Sequence, residues 1–230
     1  MLRKALWGFH ADEYQGMFDL SEIQMHDSIL EYGCGATALN YQAYQSGRNN
    51  IISMDPWFGL DKSMLEKKTH SSFEKKYIEI LSQPQSVDAI HGSELDELLQ
   101  YRRAGVECFL QDYERGRADQ RYIECLGTLI PFENNKFTYA LSSHFIFDHI
   151  GAIKQAIEHI CELARVANEV RIFPLNDLQG SPSPGLAHVL LALQQLKYGI
   201  EIRHVPSRLC AQGNAMLRVW SQLCALPTEI

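Results

Sequence analysis

The stretch of sequence that decides the fold reads Asp27-Ser28-Ile29-Leu30-Glu31-Tyr32-Gly33-Cys34-Gly35-Ala36-Thr37. A short apolar run ends near Glu31, Gly33 and Gly35 flank a single residue, and a helix-like apolar pattern follows. This order predicts a strand, a tight turn and a helix. Glycine lets the backbone turn sharply and approach a ligand, because it has no Cβ. In an α/β protein a ligand sits where the first strand meets the first helix, so the turn is a predicted binding site.

The charge of Glu31 restricts the kind of ligand that this turn would take. A carboxylate at this place repels a pyrophosphate and attracts an ammonium or sulfonium group. A Gly-x-Gly turn on its own is a weak signal and is often a plain turn. A second apolar run, Ile51-Ile52-Ser53-Met54-Asp55, also ends in an acid, which favours the binding interpretation.

Length and composition are those of one globular domain over residues 1–230. The hydrophobic fraction of 46% and the charged fraction of 21% are ordinary for such a domain. The net charge of -7 disfavours a nucleic-acid surface, and no apolar run is long enough to predict a membrane span or a signal peptide. The six cysteines are scattered singly, at 34, 108, 125, 161, 210 and 224. Several of them lie in apolar runs, which suggests buried thiols in a reducing compartment, so we expect a cytoplasmic protein.

Apolar runs predict seven strands, at residues 28–32, 50–54, 122–126, 137–141, 169–173, 200–205 and 215–220. The last two are expected to pair as an antiparallel hairpin. Apolar residues at helical spacing predict helices at 10–26, 37–45, 150–166 and 184–198. Gly47 and Gly199 are interpreted as helix ends.

The connection from residue 57 to residue 119 is too long for an ordinary crossover. An apolar stripe from Leu95 to Tyr113 has helical spacing, and Gly116 is interpreted as the stop of that helix. A strand at 107–112 is an alternative, which we reject because its apolar residues continue the stripe. We predict two or three helices that form an insertion or cap beside the binding crevice and help to choose the substrate.

The ordered set of elements resembles the class I S-adenosylmethionine-dependent methyltransferases. The resemblance rests on the Gly-x-Gly turn, the acid that closes strand 2 and the run Leu129-Ile130-Pro131-Phe132, and it extends from about Ser28 to Val219. It implies a Rossmann-like, seven-stranded, mostly parallel sheet with helices on both faces and a helical insertion between strands 2 and 3. It also implies S-adenosylmethionine as the cofactor.

A closer resemblance is to small bacterial proteins described as methyltransferases of unknown substrate. Four stretches resemble that group, at residues 12–18, 141–145, 169–175 and 214–219. This resemblance implies the fold and the cofactor, and it implies no substrate.

The family resemblance also implies which residues of this chain bind the cofactor. Glu31, Gly33 and Gly35 would bind its methionine end, and Asp55, with Pro56 beside it, would accept hydrogen bonds from both ribose hydroxyls. The third glycine of the family pattern is replaced by Thr37.

The adenine side departs from the family pattern. Leu126 stands where family members commonly have an acid, so Leu126 and Gly127 would supply an apolar wall and main-chain groups. Ser142, at the end of strand 4, would face the transferred methyl group. His159, Glu162 and Arg165 are interpreted as solvated contacts on one helix.

His144 and Asp148 are the candidate catalytic residues. A histidine has an ordinary pKa near neutrality, so His144 can act as a general base and Asp148 can orient it or the substrate. A packed, structural role for His144 is equally open. His144, Asp148 and His149 do not have the spacing of a known ligand pattern, so no metal site is predicted.

The predicted function is methyl transfer to a small molecule. The Asn-Pro-Pro-Tyr motif, typical of class members that methylate amide or base nitrogens, is missing, and no nucleic acid or membrane partner is expected. Two alternatives stay open. One is a different use of the same cofactor, and the other is a catalytically silent cofactor-binding or scaffold protein that retains the fold.

Overall fold

The structure is a computed structural model that describes residues 8–82, 93–177, 180–207 and 210–221. Within these ranges one sheet of seven strands has the order β3-β2-β1-β4-β5-β7-β6. The strands are β1 Ile29–Tyr32, β2 Ile51–Asp55, β3 Tyr122–Glu124, β4 Phe137–Ser143, β5 Ala167–Phe173, β6 Tyr198–Ser207 and β7 Cys210–Ser221. All neighbours pair in parallel except β7, which is antiparallel to β5 and β6. The predicted Rossmann-like, mostly parallel sheet is confirmed, and so is the final antiparallel pair.

Helices cover the sheet. They are α1 Ala11–Phe18, α2 Leu39–Gln45, α3 Lys62–Ser82, α4 Ser93–Ala118, α5 Ile146–His149, α6 Ile153–Val166 and α7 Leu186–Gln195. Alternate residues of β1 enter different core clusters: Ile29 packs in the cluster of Tyr14 on α1, and Leu30 in the cluster of Ile160 on α6. Because β1 is covered on both faces, none of its residues is exposed. None of the described helices is long and apolar enough to cross a membrane.

The strand order places the ligand crevice. From β1 the chain moves outward to β2 and β3, and then returns to β4 on the other side of β1. The order therefore reverses between β1 and β4, and open α/β sheets bind ligands outside the carboxyl ends of the strands at this point. The loops that follow β1 and β4 border that crevice.

The segment between β2 and β3 holds a 3₁₀ helix, Pro56–Gly59, followed by α3 and α4. The stripe from Leu95 to Tyr113 lies on α4 and is buried, so the rejected strand at 107–112 is part of a helix. Phe109 of α4 belongs to the same core cluster as Cys34 and Ala36 of the loop after β1. The helices thus pack against the predicted binding loop, and their role as a cap stays a prediction.

Two glycines that the sequence predicts to end helices lie inside a helix or a strand, where they make room for aromatic rings. Gly116 lies inside α4, where a Cβ would come within 2.2 Å of the Tyr122 ring. Gly199 lies in β6, where a Cβ would come within 2.2 Å of the Trp220 indole. Both interpretations were wrong, because each glycine makes room for an aromatic ring from another part of the chain.

The elements after β4 also differ from the prediction. Strand β4 continues to Ser143, a separate short helix α5 follows, and α6 begins at Ile153 rather than at residue 150. The helix predicted at 184–198 ends at Gln195, because Lys197 adopts a left-handed conformation, with φ of 63°.

Candidate functional site

The loop after β1 is tied to the end of β2. Gly33 and Gly35 have φ of 66° and 65°, a left-handed conformation that glycine adopts without strain. The Gly33 amide donates to the Met54 carbonyl at 2.7 Å, and the Gly35 amide donates to Oδ2 of Asp55 at 2.8 Å. The predicted cofactor residues of β1 and β2 are therefore brought together at the carboxyl ends of the two strands.

Asp55 is fully buried and begins the turn that leaves β2. Its Oδ1 accepts from the Trp57 amide at 2.8 Å, which caps the 3₁₀ helix, and exposed Pro56 is the first residue of that helix. Both carboxylate oxygens thus bind backbone amides of this chain. A carboxylate oxygen can accept more than one hydrogen bond, so a role toward a ribose is compatible with this geometry and stays a prediction.

Glu31 lies beneath the loop and binds three hydroxyl groups of this chain. Oε1 accepts from Tyr14 and, at 2.7 Å, from Thr37, and Oε2 accepts from Ser53 at 2.6 Å. Burial raises the pKa of Glu31, against the opposite effect of these hydrogen bonds. Burial, together with the nearby Glu31 charge, also raises the pKa of Tyr14. This geometry makes Glu31 the group that joins α1, the loop and β2; direct contact with the cofactor stays a prediction.

The loop after β3 forms another border of the site. Leu126 is 76% exposed, and Gly127 has φ of 78° with open space around it. The Tyr32 hydroxyl reaches the Gly127 carbonyl at 3.5 Å and Nδ1 of His159 at 2.8 Å. The sequence interpretation of His159 as a solvated helix contact was wrong. Its imidazole bonds the end of β1, and burial lowers its pKa.

Strand β4 ends in the candidate catalytic segment. Ser142 is fully buried, and its Oγ has no hydrogen-bond partner within the described part of the chain. A buried hydroxyl without a partner costs about 1–3 kcal/mol. Such a group is rare in folded proteins and indicates strain or an unseen partner such as a ligand.

His144 follows in a left-handed conformation, with φ of 51°. Its amide donates to the Phe173 carbonyl at 2.7 Å, and its Nδ1 lies 2.8 Å from Oγ of Ser143. Asp148 is half-buried on α5. No three His, Cys, Asp or Glu side chains come together as a metal site in the ranges that the structure describes, and the His149 side chain lies outside them.

Phe145 covers the glycine turn. A Cβ built on Gly33 would lie 2.2 Å from Cγ of Phe145, so only glycine fits under this ring. The ring also packs edge-on against the rings of Tyr32 and His159, with centroids 5.5 Å and 6.2 Å apart. Phe145 therefore joins the loops after β1 and β4 across the reversal of strand order. The sequence offered no signal for this contact.

The segment before α1 lies along the other side of the turn. The Gly8 amide donates to the Ala36 carbonyl at 3.1 Å, and the Phe9 carbonyl accepts from the Ala38 amide at 2.8 Å. The Phe9 ring stacks on His144, with centroids 5.2 Å apart, and the Arg102 guanidinium lies 4.3 Å from its centroid. Phe9 thus connects the candidate base to α4.

No family model matches the chain. It is 28% identical over 189 residues to an uncharacterised protein of the archaeon Methanocaldococcus jannaschii, and the match covers 80% of this chain and 84% of that protein. The sequence resemblance had pointed to bacterial proteins, whereas this relative is archaeal.

Solved structures of methyltransferases are similar to the chain at low identity. An S-adenosylmethionine-dependent methyltransferase from Aquifex aeolicus is 14% identical, with 85% of this chain and 81% of that chain covered and a TM-score of 0.39. One from Methanosarcina mazei is 12% identical, with coverage of 88% and 98% and a TM-score of 0.43. The N-methyltransferase NodS from Bradyrhizobium japonicum, in complex with S-adenosyl-L-homocysteine, is 10% identical, with coverage of 84% and 77% and a TM-score of 0.42.

Proposed function

We propose that this protein is an S-adenosylmethionine-dependent methyltransferase that acts on a small molecule. The observation that carries the proposal is the hydrogen bond from Gly35 to Asp55 beside the reversal of strand order. This bond joins the glycine turn after β1 to the carboxylate at the end of β2, so both groups lie at the same edge of the sheet. Such a pair suits a nucleoside whose vicinal hydroxyls need an acceptor.

The residue types fit this cofactor. Asp55 would hold the ribose, and Gly33 and Gly35 would let the backbone approach the methionine end. The Ser142 hydroxyl, which has no partner among the described residues, would meet a polar group. Leu126 and Gly127 would border the adenine through main-chain groups. Phe145 lies on Gly33, where a Cβ would come within 2.2 Å of the ring.

The bound cofactor would supply a methyl group activated by its sulfonium. The chain's own residues would bring the acceptor into line with that methyl group and exclude water, which is a large part of catalysis by proximity. His144 would take the proton of the acceptor. In the tautomer that donates its Nδ1 proton to Oγ of Ser143, Nε2 carries the lone pair that would accept the proton.

A small acceptor is favoured by charge and by the insertion. A net charge of -7 gives little attraction to a phosphate backbone, which supplies most of the non-specific affinity for nucleic acids. We propose that the acceptor lies between residues 142–148 and the helices of the insertion.

The test has two arms on the purified full chain. Calorimetry with S-adenosylmethionine and S-adenosylhomocysteine should show one site per chain. A screen of small metabolites with methyl-labelled cofactor should then yield a labelled small product. Absence of binding at millimolar cofactor, or label recovered in nucleic acid alone, would contradict the proposal.

A second candidate is a cofactor-binding or scaffold protein without catalysis. The hydrogen bonds of Asp55 within the chain and the packing of Phe145 on Gly33 favour it, because both give these residues a role in holding the fold that needs no catalysis. Stoichiometric binding with no labelled product from any acceptor would decide for this candidate.

A further inference from the structure

We propose that the Phe145 side chain is a gate that closes the cofactor crevice and must leave the face of Gly33 before a cofactor binds. The inference rests on the proposed function and adds to it a residue that controls access to the site.

The first observation is the position of the ring. Three side-chain atoms of Phe145, Cγ, Cδ1 and Cβ, lie 2.2, 2.5 and 2.7 Å from the place of a Cβ on Gly33. The absence of a side chain at a Gly-x-Gly turn ordinarily makes room for the ligand's approach. Here the room is filled by the chain itself, at the point where the strand order reverses.

The second observation is independent of the ring and lies three residues earlier. Ser142 carries a buried hydroxyl that binds nothing within the described residues. A protein interior satisfies nearly all of its buried polar groups, so this hydroxyl can take a hydrogen bond from a water or from a polar ligand. Ser142 and Phe145 of one segment thus carry the buried hydroxyl and the ring on Gly33.

The backbone around Phe145 is suited to a change of conformation. His144 has φ of 51°, a conformation that non-glycine residues rarely adopt. Phe145 itself, with φ of -122° and ψ of -57°, precedes a helix of only four residues, α5. A few such residues at element ends can absorb the dihedral changes that move a gating side chain.

The two edge-on contacts of Phe145, with Tyr32 and His159, hold the ring in the closed position. Tyr32 is the last residue of β1 and His159 lies on α6, so movement of the ring away from Gly33 breaks both contacts. A closed state that holds roughly nine-tenths of the molecules lowers the apparent affinity about tenfold.

The experiment compares cofactor affinity in wild type, Phe145→Ala and Phe145→Leu by calorimetry with S-adenosylhomocysteine, after circular dichroism has shown that each variant is folded. We expect Phe145→Ala to bind about tenfold tighter and Phe145→Leu to lie between the two. Phe132→Ala is the matched control, because Phe132 packs on Phe137 away from the glycine turn, and it should bind as wild type does.

The outcomes separate the gate from the proposed function. Equal affinities would overturn the gate and leave the function standing, and weaker binding by Phe145→Ala would show that the ring contacts the cofactor instead. Binding by Phe145→Ala alone would support both. No binding by any variant would overturn both.

A measurement without cofactor tests the contact itself. Gly33→Ala should lower the melting temperature more in wild type than in the Phe145→Ala background, since the clash with the ring is present only in the former. Equal losses in the two backgrounds would contradict the closed position of the ring.

Discussion

The Gly35 amide donates a 2.8 Å hydrogen bond to the buried carboxylate of Asp55, and this contact joins the turn after β1 to the end of β2. The second carboxylate oxygen binds the Trp57 amide, so one side chain holds the starts of two loops. The candidate cofactor site is thus built from the same bonds that hold the fold at this edge of the sheet.

Asp55→Asn should weaken both the fold and cofactor binding. An amide can accept from one of the two backbone N–H groups but presents its own NH₂ to the other, so we expect a loss of about 1–3 kcal/mol in the free energy of unfolding. Urea unfolding measures this loss, and calorimetry should show weaker cofactor binding. Glu66→Gln, at an exposed position on α3, should change stability by less than about 0.5 kcal/mol. Wild-type stability for Asp55→Asn would refute the structural role.

His144→Gln should lower turnover by about 10²–10⁴ and leave cofactor affinity nearly unchanged, because glutamine can hydrogen-bond but cannot take a proton at neutral pH. Steady-state kinetics with the identified acceptor and calorimetry measure the two effects. His188→Gln, on the exposed face of α7, is the control and should retain full turnover. A fully active His144→Gln would remove the base role without removing the methyltransferase proposal, since proximity alone can suffice.

The pH dependence of the free energy of unfolding should reveal the raised pKa of Glu31. Its pKa is raised in the folded protein, so the folded state holds this proton at pH values where the unfolded state has lost it. Its contribution is therefore fully present below the unfolded pKa, near the ordinary 4.5, and is lost as the pH rises through the higher folded pKa. Relative to wild type, Glu31→Gln should gain stability as the pH rises through that window.

Urea unfolding of wild type and Glu31→Gln over a series of pH values measures this difference. Tyr14→Phe removes one hydroxyl that stabilises the carboxylate, so it should move the upper end of the window to higher pH. A stability difference that does not vary with pH would show that Glu31 has the same pKa in the folded and unfolded states, which would contradict the prediction.

Removal of one partner from the buried ion pair of Glu13 and Arg102 should lower the free energy of unfolding strongly. Arg102 donates from Nε at 2.9 Å and from Nη2 at 2.7 Å to the same carboxylate oxygen, and both side chains are almost wholly buried. Arg102→Met leaves a buried carboxylate without its cation and should cost about 3–5 kcal/mol in urea unfolding.

Two further variants test whether the loss comes from the buried charge of Glu13. Adding Glu13→Leu to Arg102→Met should recover part of the loss, because an apolar pair needs no compensation. Arg103→Met breaks the half-exposed pair with Glu74, one position along α4, and should cost less than about 1 kcal/mol. Similar losses for Arg102→Met and Arg103→Met would contradict the argument from burial.

Much of the fold could be predicted from local patterns. Strands β1, β2 and β4 have no exposed residue and are mostly apolar, and β5 is apolar at Val170, Ile172 and Phe173, so each leaves a recognisable signal in the sequence. The apolar stripe of α4 has helical spacing because one face of this helix is buried. The candidate site residues Glu31 and Asp55 lie at the ends of two of these strands, and their role toward the cofactor stays a prediction.

The remaining features depend on parts of the chain that are distant in sequence. Gly199 reads as a helix end, and only the Trp220 ring beside it shows why a glycine is needed there. His159 reads as a solvated helix residue, and only the hydrogen bond to Tyr32 places it at the crevice. In each case the partner lies well over fifteen residues away, where periodicity carries no information.

The sequence by itself thus determined the order of the elements, the glycine turn and the acid at the end of each of two strands, since these follow from local burial and backbone freedom. Only the tertiary structure decided what those groups touch: Asp55 and Glu31 bind the chain's own donors, and Phe145 lies on Gly33. The physical reason is that hydrogen bonding and ring packing depend on distances of a few ångströms, which are set only when the loops after β1 and β4 meet at the reversal of strand order.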